Sequence, residues 1–145
     1  MHKLAAIVGP TAIGKTDISL QIAQLLKAEI LSCDSMQVYK YMDIGTAKAT
    51  VEEQKIVKHH LIDIVTPDID YTVADYQAQA KSIIEELNNN KVLPMLVGGT
   101  GLYYQAVVDN YTFYPMETKK EVRDKWSQII NREGLDFGFQ YLQSI

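Results

Sequence analysis

The chain has 145 residues, of which 47% are hydrophobic and 22% are charged, and its formal net charge is −4. This length suits one domain, and this composition excludes a disordered or fibrous chain and indicates a globular one. No apolar run is long enough to cross a bilayer, and the first one ends at Gly9-Pro10 rather than in a signal-peptide cleavage region. We therefore expect a cytoplasmic protein with no membrane partner.

Net charge and cysteine content narrow the class of protein further. The acidic balance argues mildly against a nucleic-acid partner, since such proteins usually present a basic surface. Residues 55–60 and 119–125 are locally basic despite the acidic net charge, although solvent-exposed faces often contain such segments too. Cys33 is the only cysteine, so an internal disulfide is excluded, and we expect a buried thiol on a strand.

Strand-like apolar runs alternate with helical periodicity along most of the chain. The strand-like runs are residues 4–8, 29–33, 61–65 and 92–97. The first predicted helix is residues 15–27, with Ile18, Ile22, Leu25 and Leu26 on one apolar face. The next are residues 51–58 and a longer helix from Thr72 with Asp75 as its capping-box partner. Thr118 and Glu121 predict a further capped helix, and a last short helix follows from residue 135. This alternation predicts an α/β fold, a doubly wound parallel sheet in three layers.

The first strand leads into a complete phosphate-loop pattern. Gly9-Pro10-Thr11-Ala12-Ile13-Gly14-Lys15-Thr16 matches G-x-x-x-x-G-K-[ST] between an apolar strand and an amphipathic helix. Glycines let the loop amides turn inward, and those amides together with the helix N-terminus favour an anion. Lys15 adds a charge for phosphate oxygens, and the Thr16 hydroxyl is a candidate ligand for Mg²⁺. The pattern predicts a di- or triphosphate site without identifying the molecule that carries the phosphates.

Asp34 follows the second strand, where a carboxylate faces the ligand crevice of a parallel sheet. Such a group could accept a proton from an incoming nucleophile or hold Mg²⁺, and a simple turn cap is the structural alternative. Ser35 and Gln37 add donors and acceptors that suit the edge of a base.

The fourth strand is followed by Gly98-Gly99-Thr100-Gly101, which permits close backbone approach to a ligand, although a tight strand-to-helix turn also needs glycine. His59-His60 lacks acidic or cysteine partners at metal-ligand spacing, so we interpret the pair as polar residues at a strand edge.

Taken together, these segments resemble the tRNA dimethylallyltransferases, the isopentenyltransferases that modify tRNA. The resemblance extends from the start of the chain to about Asp109 and rests on these stretches besides the phosphate loop: residues 33–40, 42–48, 59–63, 73–76 and 98–103. Members of this family are considerably longer. The resemblance therefore implies an incomplete phosphate-loop core over residues 1–114 and the beginning of a helical insertion over residues 115–145.

The resemblance implies a role for each matched residue. Residues 9–16 would bind the diphosphate of dimethylallyl diphosphate, with Lys15 and Thr16 acting on the leaving group and Mg²⁺ as cofactor. Asp34 would be the general base on the exocyclic amine of the adenosine just 3′ of the anticodon. The residues implied in holding the tRNA are Asp34, Ser35, Met36, Gln37, Thr100 and Arg123. The implied partners are the anticodon stem-loop of tRNA and the prenyl donor, and we expect a monomer.

Three alternatives stay open from the sequence. A small-molecule or nucleotide kinase shares the phosphate loop, but such enzymes usually surround phosphates with several arginines, and this chain has only Arg123 and Arg132. An adenylate dimethylallyltransferase would accept free nucleotide instead of tRNA. A fragment that binds diphosphate without turnover is the third alternative.

Overall fold

The structure, a computed structural model, describes residues 3–113 and 120–145. The chain forms two compact units, Met1–Thr112 and Phe113–Ile145. The strands are β1 (Ala5–Val8), β2 (Ala28–Cys33), β3 (His59–His60) and β4 (Leu93–Gly98). The helices are α1 (Lys15–Leu26), α2 (Val51–Ile56), α3 (Val73–Asn89), α4 (Gly101–Val108), α5 (Lys120–Glu133) and α6 (Leu135–Gln143).

The four strands of the first unit form one parallel sheet in the order β1-β4-β2-β3. In its register, Gly98 pairs with Val8 on one side and with Cys33 on the other. The carboxyl ends of β1, β4 and β2 therefore coincide. The segments that follow these three strands all leave the sheet at one edge.

Helices cover both faces of this sheet. On one face, Tyr76, Ala80 and Ile84 of α3 and Tyr103 of α4 pack on a cluster that includes Leu31 and Leu96. On the other face, Leu20 and Ala23 of α1 pack on Ala28, Ile30 and Met95. The predicted three-layer α/β fold with a parallel sheet is confirmed.

Two local predictions were wrong. The buried residues of α1 are Ser19, Leu20 and Ala23, and of the predicted apolar face only Ile22 packs against them, whereas Leu25 is 82% exposed. The third strand is the two-residue β3 and not residues 61–65, because Leu61 and Asp63 adopt positive φ and interrupt the strand.

The capping box of Thr72 and Asp75 at the start of α3 is confirmed, with both reciprocal hydrogen bonds present. In the second unit, Trp126 of α5 lies against Tyr141 of α6 with ring centroids 4.6 Å apart. Thr118, predicted to cap α5, lies outside the described residues. Among the residues that are described, no helix has the length and apolar character that crossing a membrane requires.

Candidate functional site

The phosphate loop occupies the turn between β1 and α1. Gly14 is the N-cap of α1 and has φ 82°, a left-handed conformation that favours glycine. Lys15 is the first residue of the helix, and its ammonium donates to the carbonyls of Gly9 (2.9 Å) and Pro10 (2.6 Å). The ammonium is thereby held against the loop that precedes it.

Asp34 follows directly after β2, at the same edge of the sheet. Its Oδ1 accepts the Met36 amide at 2.9 Å, which folds residues 34–36 into a turn. The carboxylate therefore has a structural role as a turn acceptor. The same carboxylate also lines a cavity, described next.

A cavity of about 280 Å³ contains both the phosphate loop and this carboxylate. Its lining from the predicted set is Thr11, Ala12, Gly14, Lys15, Thr16, Asp34 and Gln37. A phosphate group beside Lys15 and a nucleophile beside Asp34 would share one cavity. Asp34 was predicted to lie on the same side of the sheet as the phosphate loop, and this position is confirmed.

The glycine turn after β4 adjoins this cavity. A Cβ atom on Gly98 would lie 2.1 Å from the Cys33 carbonyl oxygen, so no other residue fits here without moving a strand. The Thr100 amide donates to the same carbonyl at 3.0 Å, and the Thr100 hydroxyl oxygen accepts the Ser35 amide at 3.0 Å. The turn thus fixes the backbone on both sides of Asp34.

The remaining predicted residues of the first unit do not line this cavity. Gly9 and Thr100 line a smaller space of about 140 Å³, which shares Gly98 with the larger one. Pro10, Ile13, Ser35 and Met36 line neither space, and Met36 is 45% exposed. Arg123 is exposed on α5 of the second unit, so its role as a tRNA contact stays a prediction.

Gln37 is heavily engaged by the protein itself. Its side-chain oxygen accepts the Ser32 hydroxyl at 2.8 Å, and its amide nitrogen donates to the carbonyls of Thr46 (3.0 Å) and Ala47 (3.1 Å). Because an amide group has two N–H donors, both are used. The remaining capacity of Gln37 toward a base is as an acceptor.

Sequence reasoning missed several residues of the cavity wall. Ser32 could have been found, because it alternates with Asp34 on β2 and must share its face. Thr46, Ala47 and His59 could not, because long-range folding brings them to the cavity.

His59 donates from Nδ1 to the Val57 carbonyl at 2.7 Å. Burial lowers its pKa, against smaller opposing effects of that hydrogen bond and of Glu53, and His60 lowers it further. A neutral ring makes Nδ1 the donor to Val57. Nε2 then carries a lone pair, for which the described part of the chain provides no hydrogen-bond partner.

Cys33 is fully buried, and burial raises the pKa of its thiol to about 11. A thiol that stays protonated is a poor nucleophile, so burial makes Cys33 unreactive at neutral pH.

The residues present fit a magnesium ion shared with a phosphate ligand. Thr16 lines the cavity, and its hydroxyl has no hydrogen-bond partner within residues 3–113 and 120–145. Those same residues contain no group of three or more acidic, histidine or cysteine side chains able to hold a metal. Mg²⁺ typically takes one or two protein oxygens, with phosphate and water completing its shell, which agrees with this donor set.

Comparison with known proteins gives one consistent answer. A family model, IPP transferase, matches residues 37–145. The chain is 58% identical over its whole length to a tRNA dimethylallyltransferase of Syntrophomonas wolfei, covering 47% of that protein. It is 51% identical over 131 residues to a tRNA dimethylallyltransferase of Bacillus subtilis, covering 90% of this chain and 42% of that protein. The chain thus spans about half the length of the curated relatives it matches.

Solved structures show the same fold. A full-length tRNA isopentenylpyrophosphate transferase from Bacillus halodurans superposes with a TM-score of 0.77 and 44% identity, over 99% of this chain and 48% of that one. A eukaryotic dimethylallyltransferase acting on tRNA gives a TM-score of 0.74 at 29% identity, over 84% of this chain and 31% of that one.

Proposed function

This chain belongs to the IPP transferase family, and we propose that it carries the reaction centre for transfer of a dimethylallyl group from dimethylallyl diphosphate to tRNA. The acceptor is the exocyclic N6 amine of the adenosine 3′-adjacent to the anticodon. The observation that carries this proposal is the single cavity lined by Lys15 of the phosphate loop and by the Asp34 carboxylate.

The phosphate loop suits the leaving group. As the allylic carbon separates from the diphosphate oxygen, negative charge grows on the diphosphate. The N-terminus of α1 and the Lys15 ammonium are placed to stabilise that charge. When bound, Mg²⁺ held by Thr16 would neutralise further charge on the diphosphate.

Asp34 suits the acceptor. An adenine amine is a weak nucleophile, and removing its proton as the carbon–nitrogen bond forms lowers the barrier. General-base catalysis contributes roughly 10²–10⁴-fold. The target base must leave its stack to enter the cavity, as in other enzymes that modify bases.

The test is a radiolabelled prenyl-transfer assay with this chain, Mg²⁺, dimethylallyl diphosphate and an anticodon stem-loop. We expect Asp34→Asn to lower turnover by about 10²–10⁴-fold while donor binding persists. Asp70→Asn, a change at an exposed acid outside the cavity, is the matched control and should transfer normally. Normal turnover by Asp34→Asn would remove Asp34 from the role of base.

Ligand choice separates this proposal from its alternatives. Thermal-shift measurements with Mg²⁺ should show greater stabilisation by dimethylallyl diphosphate than by ATP, and the reverse would favour a kinase. Prenylation of AMP in place of the stem-loop would indicate an adenylate dimethylallyltransferase. Donor binding without any transfer would indicate an inactive diphosphate-binding fragment.

A further inference from the structure

Two stretches that support the family resemblance, residues 42–48 and 59–63, have no role in the chemistry described above. The structure joins them through one side chain, Lys48. Its ammonium donates to Asp43 Oδ1 at 2.7 Å, to Asp63 Oδ1 at 2.6 Å and to the Tyr39 carbonyl at 3.0 Å. A lysine has three N–H donors, so this ammonium is fully satisfied.

The environment of Lys48 sets it apart from an ordinary surface lysine. Its side chain is 5% exposed, whereas those of Asp43 and Asp63 are 67% and 41% exposed. Burying an ammonium is unfavourable unless it is paired. Burial alone would lower the pKa of Lys48, but the hydrogen bonds and charges of Asp43 and Asp63 outweigh it and raise the pKa. Lys48 therefore stays protonated at neutral pH.

Lys48 links residues 42–48 to residues 59–63, and each of these two segments contains left-handed backbone. Ala47, its chain neighbour, has φ 49°, and Asp63 has φ 55°. Left-handed conformations are unfavourable for residues with a Cβ atom. Lys48 follows Ala47 directly and donates to the Asp63 side chain, so it connects these two positions.

The segment of residues 42–48 forms part of the cavity wall. Thr46 and Ala47 line the same space as Lys15 and Asp34, and their carbonyls hold the Gln37 amide. Gln37 in turn lies three residues after Asp34. Among the residues that the structure describes, no hydrogen bond links residues 39–48 to residues 9–16.

We propose that Lys48 is a positioning residue for the acceptor base, acting through Thr46, Ala47 and Gln37 on the cavity wall beside Asp34. This inference rests on the proposed function for the identity of the acceptor. Because the wall is not bonded to the phosphate loop, Lys48 acts on the acceptor side and leaves the donor side alone.

The test compares Lys48→Met, which removes the charge and keeps the aliphatic stem, with Lys27→Met at an exposed lysine after α1. In prenyl transfer with varied stem-loop, Lys48→Met should lower kcat/KM for the acceptor by about 10²-fold, as for a misplacement of about 1 Å. Its affinity for dimethylallyl diphosphate should equal that of the parent chain. Lys27→Met should change neither quantity.

A second measurement does not depend on activity. In the parent chain the Gln37 side-chain amide protons should exchange slowly with solvent in NMR spectra, and in Lys48→Met they should exchange fast. A lower unfolding temperature with unchanged Gln37 exchange and unchanged acceptor kinetics would overturn the proposal, leaving Lys48 a stabilising residue only. Equal losses of donor and acceptor binding would also overturn it.

A second variant and a second measurement cover the cases in which Lys48→Met does not fold or the parent chain is inactive. If Lys48→Met does not fold, Asp43→Asn removes one exposed partner of the cluster and should shift Gln37 exchange and acceptor kinetics in the same direction; no shift overturns the proposal. If the parent chain transfers no prenyl group, the proposed function fails. The exchange of the Gln37 amide protons and the affinity for dimethylallyl diphosphate then still decide whether Lys48 positions the cavity wall.

Discussion

Replacing Gly98 with alanine tests whether the close approach of β2 and β4 sets the geometry of the cavity. The added Cβ atom would lie 2.1 Å from the Cys33 carbonyl oxygen and 2.9 Å from the Cys33 Cα atom. Both obstacles are backbone, so no side-chain rotation relieves them. Asp34 is the next residue along the chain and must follow any movement of Cys33.

The magnitude follows from the contact distance. The carbonyl oxygen must retreat by about 1 Å or more before the two atoms reach van der Waals separation. Overpacking of this kind costs about 1–3 kcal/mol of stability. A displacement of about 1 Å at the reacting groups costs about 10²-fold in rate. We therefore expect Gly98→Ala to lose both stability and transfer activity.

Urea denaturation and the prenyl-transfer assay measure the two losses. Gly101→Ala is the matched control in the same turn, since a Cβ atom there meets nothing within 4 Å. It should fold with the stability of the parent chain or better, because alanine favours a helix over glycine. Equal stability and equal activity of the two variants would refute the reasoning.

Two further predictions concern titratable groups. With a pKa of about 11, the buried Cys33 thiol should resist iodoacetamide at pH 8 in the folded chain and react once urea unfolds it; rapid modification of the folded chain would contradict its burial. Because burial holds the pKa of His59 below 6.5, the unfolded chain binds more protons just below that pH, and stability falls as pH decreases through it. His59→Gln should reduce that slope in urea titrations from about pH 7 to about pH 5, and an unchanged slope would show that His59 does not contribute.

The sequence was most informative where structure depends on neighbours along the chain. The phosphate loop, the start of α1 and the capping box at Thr72 follow from local patterns of glycine, hydroxyl and acidic residues. The placement of Asp34 followed from one rule about parallel strands, and the register of Gly98 with Cys33 and Val8 agrees with that rule.

What the sequence did not predict depends on distant contacts. The order β1-β4-β2-β3 and the Lys48 cluster join residues far apart in the chain, and no local pattern encodes them. The apolar run from residue 61 fits a strand by composition, but the positive φ of Leu61 ends the pairing after His60. For α1, periodicity indicated Ile18, Leu25 and Leu26, which are exposed, whereas the helix packs on the sheet through Ser19, Leu20 and Ala23.

The hydrogen bonds of Lys15 within its own loop bear on which anions the loop can bind. Its ammonium already has two oxygen acceptors within its own loop, Gly9 and Pro10, so an incoming anion must compete with an internal ligand. The free energy gained when an anion binds Lys15 is the difference between its new hydrogen bonds and the two that it gives up. This difference is small for a weakly charged anion. We expect a diphosphate, with its higher charge, to displace the two carbonyls from Lys15 more readily than an anion of lower charge does.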